Sequence, residues 1–227
     1  MNIGDRFKSI QCGWFEIVGI VPHKKGKRFI VEFDEVMGIK YKTVREKKHV
    51  ISGSILNPYY PLKLGLACVG NVNSKKYNKE FNKWRSMIER CYDINNRRYD
   101  IYGARGVRVC DRWLCFEYFL DDLIHVKGYD VEKLQNGKLH LDKDIIGNGL
   151  LYSPETCILV SPSENIKDMN LRNKQKLFKA TNLENNNIIT SNNQTEFAKL
   201  INVSQSEISR CLNGERKSVR GYKIELI

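Results

Sequence analysis

The chain has 227 residues, 41% hydrophobic and 28% charged, with 38 Lys and Arg against 26 Asp and Glu for a net charge of +12. That composition reads as globular and leaves room for one large core or two to three small ones. No apolar run approaches the roughly 18 residues that a membrane span needs, and "MNIGDRFKSI" has no signal-peptide core, so a cytoplasmic location and no membrane partner are expected.

The cations are interleaved with aromatics and are not gathered in a tail, which points to a polyanionic partner, nucleic acid before membrane. Solubility alone, or a lysine-rich proteome, is the plainer explanation of the same surplus. The seven cysteines stand singly, with no CxxC, and are expected to be reduced and buried. A structural zinc held by Cys91, Cys110, Cys115 and Cys157 is the alternative, and it is not expected, because cysteines inside apolar runs behave mainly as small hydrophobes.

Residues 1–62 are predicted to form a β-rich domain. "GWFEIVGIVP", "KRFIVEFDEV" and "YKTVREKKHVISG" are rich in Val, Ile, Phe and Tyr, and "HKKGK" supplies a turn. Lys24, Lys25, Lys27 and Arg28 on that turn are candidate DNA backbone contacts, or else a solvated tip. "ILNPYYPLKLGLACVGNVNSKK" has the prolines and glycines of a linker.

From Tyr77 the period becomes helical. Tyr77, Phe81, Trp84, Ile88 and Cys91 make an apolar stripe, while Lys79, Lys83, Ser86 and Arg90 fall opposite as a basic face. The loop that follows carries Arg97, Arg98, Arg105 and Arg108 among Tyr99 and Tyr102. Such a loop can clamp phosphates and bases, or its tyrosines can simply anchor it on the core. Asp111 is placed to cap a second helix, "RWLCFEYFLDDLI", with Trp113, Phe116, Leu120 and Leu123 inward.

Leu139–Ile146 is predicted to be a strand, "GNG" a turn, Thr156–Val160 a second strand, and "SPSEN" a helix start with Ser161 as N-cap and Glu164 completing a capping box. A strand, turn, strand and helix make a ββα unit. In such a unit Asp142 and Asn165 can converge on one divalent cation. By strand alternation His140 and Asp144 share a side with Asp142, and an imidazole titrating near neutrality suits a general base. The plainer reading has Asp142 and Asp144 capping a hairpin and Asn165 decorating a helix.

"LDKDIIGNGLLYSPETCILVSPSENIKD", with "WRSMIERCYD", "YGARGVRVCDRWLCFEYFL" and "SGSILNPYYP" upstream in order, resembles the phage-borne HNH endonuclease family, homing-type members included. The resemblance spans most of residues 45–170. It implies a ββα-metal nuclease domain at 63–170 that hydrolyses DNA phosphodiesters with one bound Mg2+ or Mn2+. Carried over by position, Asp142 and Asn165 look like the metal ligands. Lys143 stands where the family has its general-base histidine, and Thr156 stands where it has a loop-bracing asparagine. His140, Lys143 and Asp144 are therefore the candidate catalytic residues.

Residues 171–227 form a different unit. "QKLFKATNLENNNIITS" predicts a hairpin, and "NQTEFAKLINVSQSEISRCLNGERKSVRGYKIEL" predicts helix, turn, helix and a final strand, with Ser204 and Glu207 as a capping box. Gln205, Ser206, Ser209 and Arg210 are the outer set a recognition helix would offer to the major groove, and Arg216, Lys217 and Arg220 follow as phosphate contacts; a generic polar surface is the alternative. The segment resembles the nuclease-associated modular domains appended to homing endonucleases.

The expected fold class is thus α+β: a β-rich N-terminal domain, a central HNH-like domain and a C-terminal helix-turn-helix module. The expected function is site-directed, metal-dependent cleavage of double-stranded DNA. A DNA-binding regulator on a nuclease fold that no longer cuts is the main rival, and an RNA-binding accessory protein is a third reading. The target sequence, nicking against double-strand cleavage, and monomer against homodimer are left open.

Overall fold

The computed structural model describes residues 1–24, 26–174 and 176–227. Lys25, one of the four cations assigned to the first hairpin, lies outside them. The chain is mixed α and β, with several small sheets and helices, and divides into two compact units, Met1–Val160 and Ser161–Ile227. Among the described residues no helix is long and apolar enough to cross a membrane.

The first unit begins with strands β1 (Arg6–Lys8), β2 (Trp14–His23), β3 (Gly26–Phe33) and β4 (Lys42–Glu46), an antiparallel sheet in that order. Alternation puts Phe15, Ile17, Phe29, Val31 and Phe33 on one side, where they form a core with Cys12, Val50 and Ile55. The third predicted strand, through "YKTVREKKHVISG", ends at Glu46. After Glu46 the chain turns into helix α1 (Lys47–Ser52), which buries Val50 and stops at Gly53, a left-handed residue whose N–H returns to the Val50 carbonyl.

A second core belongs to the stretch from Ala67 to Leu159. Helix α2 (Asn78–Tyr92) buries Trp84, Met87, Ile88 and Cys91, and Tyr77 and Phe81 pack against the same core. Strand β5 (Arg108–Val109) follows the arginine loop. Next come α3 (Phe116–Leu123), α4 (Val131–Gln135), β6 (His140–Asp142), β7 (Leu151–Tyr152) and β8 (Ile158–Val160). β5 pairs with β7 in parallel and β6 with β8 antiparallel.

Two expectations change here. Asp111 does not cap the second helix: Asp111–Leu114 is a separate 3-10 turn, Cys115 is extended, and Cys115 itself occupies the N-cap position of α3. Cys115 is drawn out of helix by a parallel bridge to Cys68, in which the Cys68 N–H donates to the Leu114 carbonyl and the Phe116 N–H donates to the Cys68 carbonyl. The predicted strand 139–146 stops at Asp142, where the side chain takes up the next backbone amides.

The second unit holds α5 (Pro162–Lys174), β9 (Phe178–Asn182), β10 (Ile188–Ser191), α6 (Gln194–Leu200), α7 (Gln205–Leu212) and β11 (Tyr222–Leu226). The strands form one antiparallel sheet in the order β10-β9-β11. Phe178, Ala180, Phe197, Ile208, Cys211, Val219 and Ile224 make its core. Both predicted capping boxes are present. In one, Ser161 N–H donates to Glu164 and Glu164 N–H to Ser161 Oγ; in the other, Ser204 and Glu207 do the same at the start of α7.

Candidate active site and nucleic-acid interface

The Asp142 carboxylate is 6% exposed, and its Oδ1 accepts the Asp144 and Ile145 N–H groups at 2.7 and 2.8 Å. That turn diverts the chain and ends β6, which is why the strand is shorter than its sequence suggests. Lys143, the next residue, is equally buried. Its Nζ lies 2.8 Å from Asp144 Oδ1, and 5.2 and 5.6 Å from the ring centres of Tyr102 and Tyr152. The Arg90 guanidinium lies 4.8 and 5.7 Å from the same two rings. Two cations therefore share two tyrosines, and Asp144 neutralises one of them.

His140 leads into this centre from the exposed start of β6, on the side of the strand that alternation gives to Asp142. Burial first, then the charges of Lys83 and Arg90, hold its pKa below the ordinary histidine value, while Asp142 opposes them. Lys83 donates to the Leu139 carbonyl, and burial lowers its pKa. The basic face read on α2 is thus divided: Lys79 is exposed, while Lys83 and Arg90 lean onto the centre.

Thr156 braces the loop beyond. Its Oγ1 accepts the Ser153 N–H at 3.1 Å and donates to the Leu151 carbonyl at 2.7 Å. The glycines of "GNG" are needed for space: a Cβ on Gly147 would lie 2.5 Å from the Lys143 carbonyl oxygen, and one on Gly149 would lie 2.6 Å from Asp144 Oδ1.

For a divalent metal, the fit differs between the candidates. Asp142 offers a hard carboxylate aimed by two backbone amides, the sort of outer support that a ligating carboxylate uses. Asp144 is the poorer donor, because its Oδ1 already carries the Lys143 ammonium. Asn165, half-buried, lies in the first turns of α5 in the second unit, its N–H bonded to the Ser161 carbonyl. Among the described residues no group of three or more His, Cys, Asp or Glu is placed to hold a metal.

The arginine loop is pre-formed by turns at Asp93 and Asn96, whose side-chain oxygens accept N–H groups two residues on. It presents Arg97, Arg98, Arg105 and Arg108 to solvent. Tyr102 packs on the core, so that ring is an anchor.

In the second unit Ser206 and Arg210 are exposed on α7, with Arg210 Nε 3.6 Å from Glu215. Gln205 is half-buried and donates to Gln194 at 2.7 Å, on the wall of a polar groove of about 480 Å³ that Ser209, Asn213, Asn170 and Lys176 also line. Arg216 is committed elsewhere, to Glu207 at 2.8 Å and the Ser218 carbonyl at 2.9 Å. Lys217 and Arg220 are exposed, Arg220 with a φ of 47° in a tight turn closed by Val219 and Tyr222. In the first unit Lys24, Lys27 and Arg28 flank the first hairpin; Arg28 Nη2 is 3.5 Å from Glu46.

No protein-family model matches the chain, and no curated protein matches it. A solved structure of DNA binding and cleavage by the HNH homing endonuclease I-HmuI is similar over 45% of this chain and 62% of that one, at 14% identity and a TM-score of 0.23. The chain thus spans less than two thirds of that structure's chain.

Proposed function

We propose that the protein binds duplex DNA and hydrolyses a phosphodiester bond at the centre on β6, as a site-directed endonuclease of the HNH type. The observation that carries this reading is geometric: the His140 imidazole lies on the same side of β6 as an Asp142 carboxylate that two backbone amides fix. In it, His140 takes the proton of the attacking water, while Lys83 and Arg90 offset the charge of the scissile phosphate. Asp142 would be a ligand for Mg2+ or Mn2+, which when bound would supply Lewis-acid stabilisation of the departing oxygen.

Arg97, Arg98, Arg105 and Arg108 grip the backbone, and α7 with Lys217 and Arg220 forms a helix-turn-helix reading head. Lys143, by contrast, acts as a brace, paired to Asp144 and set between the rings of Tyr102 and Tyr152. The same Lys143–Asp144 pair favours a second reading, a DNA-binding regulator on this fold that does not cut.

The test incubates the chain with supercoiled plasmids carrying random inserts, with Mg2+, with Mn2+ and with EDTA. Metal-dependent relaxation that His140→Ala abolishes supports the endonuclease. Tight binding with no relaxation in any metal supports the regulator.

A further inference from the structure

Away from that centre, two thiols face each other across the isolated parallel bridge between Cys68 and Cys115. Both are 2% exposed, and neither belongs to the machinery on β6. The bridge is tied on both sides of Cys115 by the Cys68 backbone, at 3.0 Å to Leu114 and 2.9 Å from Phe116. A directly bridged pair puts two side chains on the same side of neighbouring strands, within the spacing that a disulfide spans.

The approach is fixed from a second direction. Gly70 has a φ of +76°, and a Cβ there would lie 2.5 Å from the Glu117 Cβ and 3.1 Å from the Cys115 sulfur. Glu117 in turn accepts the Tyr59 hydroxyl at 2.8 Å and the Asn71 N–H at 2.9 Å, which holds the segment around Cys68 against the start of α3.

We propose that Cys68 and Cys115 form an oxidisable dithiol that a peroxide closes to a disulfide, with Cys115 attacking and Cys68 resolving. The Cys115 sulfur attacks one peroxide oxygen, the O–O bond breaks, and water leaves to give a sulfenic acid on Cys115. The Cys68 sulfur then attacks that sulfur, the S–O bond breaks, and a second water leaves. Two electrons pass from the thiols to the peroxide, and both thiol protons end in water. The assignment of roles follows from the surroundings. Cys115, at the N-cap of α3, receives a hydrogen bond from the Cys68 thiol and is approached by the Tyr118 and Glu117 amides; its pKa is lowered, while that of Cys68 is raised by the same hydrogen bond and by burial.

The experiment treats the reduced full-length chain with hydrogen peroxide, alkylates it under denaturing conditions, and maps peptides by mass spectrometry. The expected result is loss of two alkylation sites and a peptide joining Cys68 to Cys115, reversed by dithiothreitol. With Cys68→Ser, Cys115 should instead be trapped by dimedone as a sulfenic acid. Full alkylation of all seven cysteines after peroxide overturns the proposal, as does a link that maps to another pair such as Cys110 and Cys157. The wild-type map decides this even where a variant fails to fold.

Discussion

Lys143→Met keeps an apolar side chain of similar length and removes the charge. Lys143 is 7% exposed and its partner Asp144 29%. Breaking a fully buried pair costs about 3–5 kcal/mol, and because Asp144 retains contact with water the cost here falls below that range, to about 2–3 kcal/mol. The lost contacts with Tyr102 and Tyr152 add about 1 kcal/mol. Urea denaturation followed by tryptophan emission reads the effect directly, since Trp84 and Trp113 are fully buried in that core. The double variant Lys143→Met with Asp144→Asn should recover more than half of the loss, because no unpaired carboxylate remains. A loss below about 0.5 kcal/mol for Lys143→Met would refute the brace, since that is the range of an uninvolved surface change.

Nicking should depend on pH through His140, whose pKa is lowered. The rate rises as the imidazole loses its proton, so the acid limb should lie below the ordinary value of about 6.5 and be absent in His140→Gln. The stability term has the same sign: the folded chain favours the neutral ring, so stability is full above that value and falls as pH drops through the folded pKa. In the second unit, Lys217→Ala should reduce the salt slope of DNA binding by about 1 on all sequences. Arg216→Ala should leave that slope nearly unchanged and instead lower the melting point, because Arg216 serves Glu207 and Ser218. Gly128→Ala should cost more than about 2 kcal/mol in urea, as it forces alanine into a left-handed conformation with its Cβ 2.1 Å from the Leu159 carbonyl oxygen.

What could be read from the residues is what nearest neighbours decide. The stripe of α2, the β9 and β10 hairpin and the boxes at Ser161 and Ser204 each depend on chemistry within a few positions. What could not be read depends on distant partners. Cys115 is extended because Cys68, far back along the chain, bridges to it; β5 and β7 are two residues each and pair across an intervening helical stretch. The candidate site followed the same division. That Asp142 and His140 share a side of β6 was legible from strand alternation, but the burial of Lys143 rests on Tyr102 and Tyr152. The capture of Lys83 rests on the Leu139 carbonyl, and that of Arg216 on Glu207.

The most direct test of the central claim is nicking of supercoiled DNA by Asp142→Asn, compared with wild type in the same metal. Asparagine keeps the side-chain oxygen that receives the Asp144 and Ile145 amides, so the turn survives while the negative charge goes. If β6 is a hydrolytic centre, the wild type relaxes the plasmid with Mg2+ or Mn2+, and Asp142→Asn binds DNA equally well but cuts about 10- to 100-fold more slowly, the scale of a lost ligand or its support. Equal nicking by both proteins would contradict the account.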